Sequence, residues 1–251
     1  MTPITVQPAD LPLACLYRWE KERPNEIYLS QPMSGGQVLE ITWAQAAGQV
    51  RCMAQWLQSQ GWPAGSRVAI IGKNSAHWIL ADMAIAMAGY VSVPIYPTFN
   101  GEALSYILLH SESKALFVGK MDDIANLRTG VPPELPLIAL PLAPNMHAHQ
   151  WLELVSATSP MAASPEPAGE NTSTIIYTSG TTGKPKGVVH TFNSMAWGVS
   201  CATQRFPMSS ADRYISYLPL AHVAERMLIE QASLRYGGHI FFAESLDTFL
   251  Q

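Results

Sequence analysis

Short runs of β-forming residues alternate with segments of helical period along most of this chain, and that alternation limits the folds open to it. Arg67-Val68-Ala69-Ile70-Ile71-Gly72 reads as a short buried strand. After it, Ile79, Leu80, Met83, Met87 and Ala88 give a helix with a wide apolar face that Gly89 stops. Residues 91–97 read as a strand, 102–110 as a helix, 115–118 as a strand, 121–127 as a weak helix, 137–140 as a strand and 150–155 as a short helix. Strands separated by helices at this spacing predict right-handed βαβ units, hence an α/β fold whose largely parallel sheets are flanked by helices.

The flanking regions extend this pattern. Residues 1–41 read as an irregular lead-in broken by Pro3, Pro8, Pro12, Pro24 and Pro32, with Gly35-Gly36 as the tip of a hairpin between residues 26–29 and 37–41. Thr42 and Gln45 fit a capping box for a helix carrying Ala46, Val50, Met53, Ala54 and Leu57, which Gly61 ends. Asn74 or Ser75 is expected to cap the next helix. Residues 159–170, rich in Pro, Ala and Ser, read as a linker between possible sub-regions 1–158 and 171–251. Beyond it come a helix with Met195, Val199 and Ala202, a strand over 214–218 broken by Pro219, a helix with Val223, Met227 and Leu234, and a strand over 239–243. The sequence stops in what reads as the start of a further helix, which suggests a fragment.

Composition narrows the function classes. With 48% hydrophobic and 14% charged residues there is ample material for a core, and a net charge of −4 argues against a general nucleic-acid binder. Cys15, Cys52 and Cys201 are few and widely spaced, as expected in a reducing compartment, and form no zinc or redox motif. No basic segment followed by an apolar run opens the chain, and the longest apolar stretch, residues 78–91, is interrupted by Asp82 and too short to cross a bilayer. A cytoplasmic protein is the expectation, with peripheral membrane contact left open.

The β-forming run Thr174-Ile175-Ile176-Tyr177 enters Thr178-Ser179-Gly180-Thr181-Thr182-Gly183-Lys184-Pro185-Lys186-Gly187, and helical patterning begins near Thr191. Glycines permit close backbone approach while hydroxyls and lysines donate, so this loop suits a polyphosphate. It is not a Walker A loop: Gly180 and Gly183 stand too close together, and Pro185 follows Gly183-Lys184 where Ser or Thr is required. No G-x-G-x-x-G is present either.

The stretch Y-T-S-G-T-T-G-K-P-K-G, Tyr177 to Gly187, resembles the phosphate-binding loop of the adenylate-forming enzymes. A second segment, Ser216-Tyr217-Leu218-Pro219-Leu220-Ala221-His222-Val223-Ala224-Glu225-Arg226, resembles the form found in long-chain fatty acyl-CoA synthetases. The likeness runs over nearly the whole chain, but the family is considerably longer. It implies the incomplete N-terminal domain of an enzyme whose remaining adenine, ribose and catalytic-lysine contacts lie elsewhere, so the chain alone is expected to be inactive.

The resemblance implies that ATP and a long-chain fatty acid give an acyl-adenylate and pyrophosphate, and that coenzyme A then captures the acyl group. Thr178, Ser179, Gly180, Thr181, Thr182, Gly183, Lys184, Lys186 and Gly187 are the expected nucleotide-binding residues, in a loop that orders on binding, with the Thr178 hydroxyl also facing Mg2+. His222 is expected beside the acyl and α-phosphate groups as the catalytic residue; the plain alternative is a helix-start histidine making a local hydrogen bond. For Glu225 and Arg226 a surface ion pair and a role in substrate gating stand level. His147 and His149 read as a solvated pair, Met83 and Met87 as core, and Trp43, Trp56, Trp62 and Trp78 as packing. The competing functions are acyl transfer to a carrier protein or reductase domain, and a non-catalytic nucleotide-binding module.

Overall fold

In the computed structural model of the chain, which describes residues 4–178 and 184–244, the expected capping box is present. The Gln45 amide donates to Thr42 Oγ1 at 3.3 Å, and the Thr42 amide donates to Gln45 Oε1 at 2.9 Å. The described elements run α1 (Pro12–Glu22), β1 (Ile27–Pro32), β2 (Val38–Thr42), α2 (Trp43–Ser59), β3 (Arg67–Ile71), α3 (Ala76–Met87), β4 (Val91–Ile95), α4 (Gly101–His110), β5 (Leu116–Val118), α5 (Ala125–Gly130), β6 (Leu137–Ala139), β7 (His149–Gln150) and α6 (Trp151–Ala157). After residues 159–170 follow β8 (Thr172–Thr178), β9 (Lys186–Thr191), α7 (Phe192–Thr203), β10 (Arg213–Ser216), α8 (Val223–Glu225), a π-helical turn (Arg226–Gln231), α9 (Ala232–Tyr236) and β11 (His239–Phe242).

These strands form two sheets, ordered β10-β11-β1-β2 and β7-β6-β5-β3-β4-β8-β9. The second is parallel from β7 to β8, and β9 closes it as an antiparallel edge strand. Strands from both sides of residues 159–170 enter both sheets: β8 joins β4, and β11 lies between β1 and β10.

Alternation along β3 splits the core. Val68 and Ile70 join the cluster of α1, α2 and α3, while Ala69 and Ile71 face the cluster built on α4. Helix α3 is apolar nearly all round because it packs against α1, α2, β1 and β3 together. Met83 and Met87 are core, as are Trp43 and Trp78, and Trp56 and Trp62 pack on the same cluster. The hairpin tip is where expected, with Gly35 and Gly36 at φ of 77° and 74°.

Several expectations are corrected. The lead-in contains α1: Pro12 opens that helix rather than breaking it, because the first helical turn needs no backbone donor. Of the two expected caps for α3, Ser75 is the one used. The weak helix over 121–127 lies later, as α5, with the Asp123 carboxylate accepting from the Ala125 amide at 2.8 Å. His149 lies in β7, its ring 5.6 Å from that of Trp56. Among the described residues no group of three or more His, Cys, Asp or Glu could hold a metal ion. None of the described helices is long and apolar enough to cross a membrane.

Candidate functional site

Strand β8 carries the candidate loop out of the sheet at the carboxyl end of the parallel strands, where open α/β sheets bind ligands. Strand order reverses between β3 and β4, and β4 is the neighbour of β8 on that side. Thr178, the last residue of β8, is exposed and pairs in register with Lys186. Ser179, Gly180, Thr181, Thr182 and Gly183 lie outside the described residues. Lys184 is exposed, its Nζ 5.4 Å from the centroid of the Tyr106 ring.

Lys186 and Gly187 are not loop residues. They begin β9, which pairs with β8 from Thr178↔Lys186 back to Thr172↔Thr191. The β-branched pair Val188-Val189 is the sequence signal for that strand, masked by the glycine and lysines before it. Gly187 fits because of crowding: a Cβ there would come within 2.9 Å of Ile175 Cγ2 and 3.2 Å of Tyr177 Cζ. Tyr177 is held in turn, its hydroxyl 2.7 Å from His110 Nδ1 on α4.

The second arm of the site, residues 216–226, is anchored by Asn74 and Glu225, to which sequence reasoning gave other roles. Asn74, just after β3, donates through Nδ2 to the Leu218 carbonyl at 2.5 Å and to Ser216 Oγ at 2.8 Å, and its Oδ1 accepts from the Leu220 amide at 2.9 Å. The buried Glu225 carboxylate accepts from Ser216 Oγ at 2.8 Å and from the Tyr217 amide at 3.0 Å. Burial raises the Glu225 pKa, and those hydrogen bonds oppose the rise. His222 is exposed and caps α8: its Nδ1 accepts from the Ala224 amide at 3.1 Å. A backbone amide can only donate, so Nδ1 carries no proton in this geometry, and the neutral ring presents Nε2–H.

Glu225 and Arg226 are not a surface ion pair. Arg226 is fully buried at the start of the π turn. Its guanidinium donates from Nη2 to Asp82 Oδ2 at 2.5 Å, from Nη1 to Thr174 Oγ1 at 2.7 Å and from Nε to Glu230 Oε2 at 3.1 Å. Burial works against its charge, but the two carboxylates outweigh it and raise the Arg226 pKa. One positive charge cannot offset two buried carboxylates. Burial, with Asp82 close by and hydrogen-bonded to it, raises the Glu230 pKa well above the ordinary carboxylate range. Among the described residues, Asp82 Oδ1 and Glu230 Oε1 find no other hydrogen-bonding partner. The sequence signal was Asp82 itself, one acid in an otherwise apolar helix, which needs a buried cation.

The model of the AMP-binding enzyme family matches residues 16–251. A long-chain-fatty-acid–CoA ligase of Mycobacterium bovis is 32% identical over 240 residues, covering 90% of this chain and 39% of that protein. Among solved structures, a long-chain-fatty-acid CoA ligase (putative in its description) from Rhodopseudomonas palustris superposes with a TM-score of 0.80 at 21% identity, covering 94% of this chain and 58% of the other. The O-succinylbenzoate coenzyme A synthetase of Bacillus subtilis in complex with AMP matches with a TM-score of 0.73 at 21% identity, covering 92% of this chain and 56% of the other. The chain thus spans about two fifths of the length of its curated relative.

Proposed function

Because the chain belongs to the AMP-binding enzyme family, we propose that it supplies the phosphate-binding wall of a site that activates a long-chain fatty acid with ATP and passes it to coenzyme A. One observation carries the reading: the strand that presents residues 178–187 and the helix that begins after His222 are joined at the Arg226–Thr174 hydrogen bond of 2.7 Å. A loop built for phosphate and a histidine offering Nε2–H therefore stem from one node. In the proposed reaction a fatty carboxylate oxygen attacks the α-phosphorus, the bond to the bridging oxygen breaks, and pyrophosphate leaves. The coenzyme A sulfur then attacks the acyl carbonyl and AMP departs. Both steps bring anions together, so alignment and charge neutralisation matter more than a protein nucleophile.

In this reading the hydroxyls and amides of residues 178–183 receive the β- and γ-phosphates, Lys184 and Lys186 neutralise charge, and His222 Nε2–H holds the fatty carboxylate or an α-phosphate oxygen. The described donors suit magnesium only in part. Thr178 offers one hard oxygen, and no carboxylate cluster accompanies it among the described residues, which fits an ion that arrives with the triphosphate and keeps most of its waters. When bound, magnesium would supply further neutralisation of phosphate charge. The isolated chain, spanning two fifths of its relative, is expected to hold ATP too weakly for calorimetry at micromolar concentration.

The test uses the complete natural polypeptide with ATP, a long-chain fatty acid and coenzyme A. Release of AMP and pyrophosphate with formation of an acyl-CoA thioester is the expected result. ADP and phosphate as products would overturn the adenylation reading, and acyl-adenylate without thioester would redirect it to a carrier-protein or reductase acceptor.

A further inference from the structure

We propose that Arg226 is a positioning residue that sets Thr178, the last residue of β8, and His222 in register with each other by clamping their two carriers at Thr174. The inference rests on the adenylating reading for its consequences in catalysis, and on the geometry alone for the clamp.

Thr174 occupies the one place where β8 docks on the main sheet: Ser92↔Thr174 is the registered β4–β8 pair among the described residues. Its Oγ1 donates to the Ser92 carbonyl at 3.0 Å and accepts from Arg226 Nη1 at 2.7 Å. The same hydroxyl therefore fixes β8 to β4 and to the π turn. Thr178, where the loop opens, lies four residues along the strand and, by the two-residue period, on the same face. His222 lies one turn back along the helix, and the Arg226 amide donates to its carbonyl at 3.2 Å. Loop and histidine are thus each one short rigid step from a single bond.

The rest of the cluster keeps that bond from shifting. Asp82 Oδ2 on α3 and Glu230 Oε2 on the π turn take Nη2 and Nε, so the planar fork is held at three points. The guanidinium carbon also lies 5.6 Å from the centroid of the Trp78 ring, which limits rotation of the fork. Both carboxyls bond the guanidinium directly, so the buried cation is paired in a dry core. The π turn adds a local reason for this arrangement. Such turns are rare and cost regular hydrogen bonding, and they recur where a helix must present side chains at a functional site. Here the π turn runs from Arg226 through Glu230.

The closing experiment uses Thr174→Val and Arg226→Lys, whose losses overlap only in the Arg226–Thr174 bond, and Thr174→Ser, which keeps the hydroxyl. In the complete polypeptide, Thr174→Val and Arg226→Lys should each lower kcat for acyl-adenylate formation about tenfold or more while the KM for fatty acid moves less than about twofold. Thr174→Ser should restore kcat to within about twofold, because it keeps the hydroxyl. In the chain described here, hydrogen exchange should rise in both residues 172–178 and residues 216–222 for Thr174→Val, with neither segment affected in Thr174→Ser. Equal impairment by Val and Ser, or loosening of one segment without the other, would overturn the clamp. If the unaltered polypeptide makes no acyl-adenylate, the functional reading falls and the exchange experiment alone judges the clamp. If Arg226→Lys fails to fold, the Val and Ser pair decides.

Discussion

Thr174 and Thr178 carry the same hydroxyl on the same face of one strand, four residues apart, yet they stand in opposite surroundings. Thr174 is fully buried and held between the Ser92 carbonyl and the Arg226 guanidinium. Thr178 is exposed beside Lys186 at the mouth of the loop. The difference teaches where this chain spends polar groups for structure and where it leaves them exposed, the end that the proposed function assigns to a ligand. At the buried end each charge needs a partner, since desolvation of an unpaired ion exceeds any gain from packing. At the exposed end Lys184 and Lys186 keep their hydration and need no buried partner, and in the proposed reading they are what a polyanion meets.

The hardest way to break the comparison is to remove the buried cation. Arg226→Met keeps bulk but strands the Asp82 carboxylate beside Glu230, and the expected loss is about 3–5 kcal/mol in unfolding free energy. Urea denaturation with the slope held constant measures it. A loss below about 1 kcal/mol would mean that the cluster contributes no more than a surface pair does.

A second buried polar group sharpens the same contrast through pH. His77 on α3 is almost wholly buried against Trp151, with ring centroids 5.8 Å apart, and burial lowers its pKa to about 4. The unfolded chain binds a proton below about pH 6.5 that the folded chain refuses until about pH 4. Stability is therefore unaffected above the unfolded value and falls as the pH drops through that window, by about 3 kcal/mol in all. His77→Phe should flatten this part of the acid limb in unfolding curves taken at several pH values.

A smaller effect belongs to the border between the two ends. Thr191 closes β9 and caps α7, its Oγ1 accepting from the Ser194 amide at 3.1 Å. Thr191→Ala should cost about 1 kcal/mol in unfolding free energy, the usual worth of one cap.

How much of this was legible in the sequence follows the same division. The βαβ order was readable because each strand and helix carries its own period, and the capping box at Thr42 and Gln45 needs only residues three apart. The loop was readable because glycine, hydroxyl and lysine density is local chemistry. The buried node was not, because Asp82, Thr174, Arg226 and Glu230 come from three elements and only Arg226 and Glu230 are near in sequence. Arg226 beside Glu225 invited a local pairing, whereas folding sends Glu225 to Ser216 and Tyr217 and Arg226 to Asp82. Pro12 and Lys186 failed for a different reason: each was read by its residue type, while position in the first helical turn and in a hairpin decided its role.

The gentlest perturbation tests the exposed end. Replacing Lys184 and Lys186 together by Ala removes two exposed cations, and Lys184 gives up at most a weak contact with the Tyr106 ring. Unfolding free energy should change by no more than about 0.5 kcal/mol. If the loop exists for phosphate, the same double variant in the complete polypeptide should raise the KM for ATP about tenfold, and more steeply at low salt, since charge-assisted contacts to phosphate are lost. Stability that falls with these lysines would place them with Arg226 as structural charges. Stability unmoved together with a raised KM would put the division between the two ends of β8 in functional terms: one hydroxyl locks the strand, and the other waits beside cations that hold nothing until nucleotide arrives.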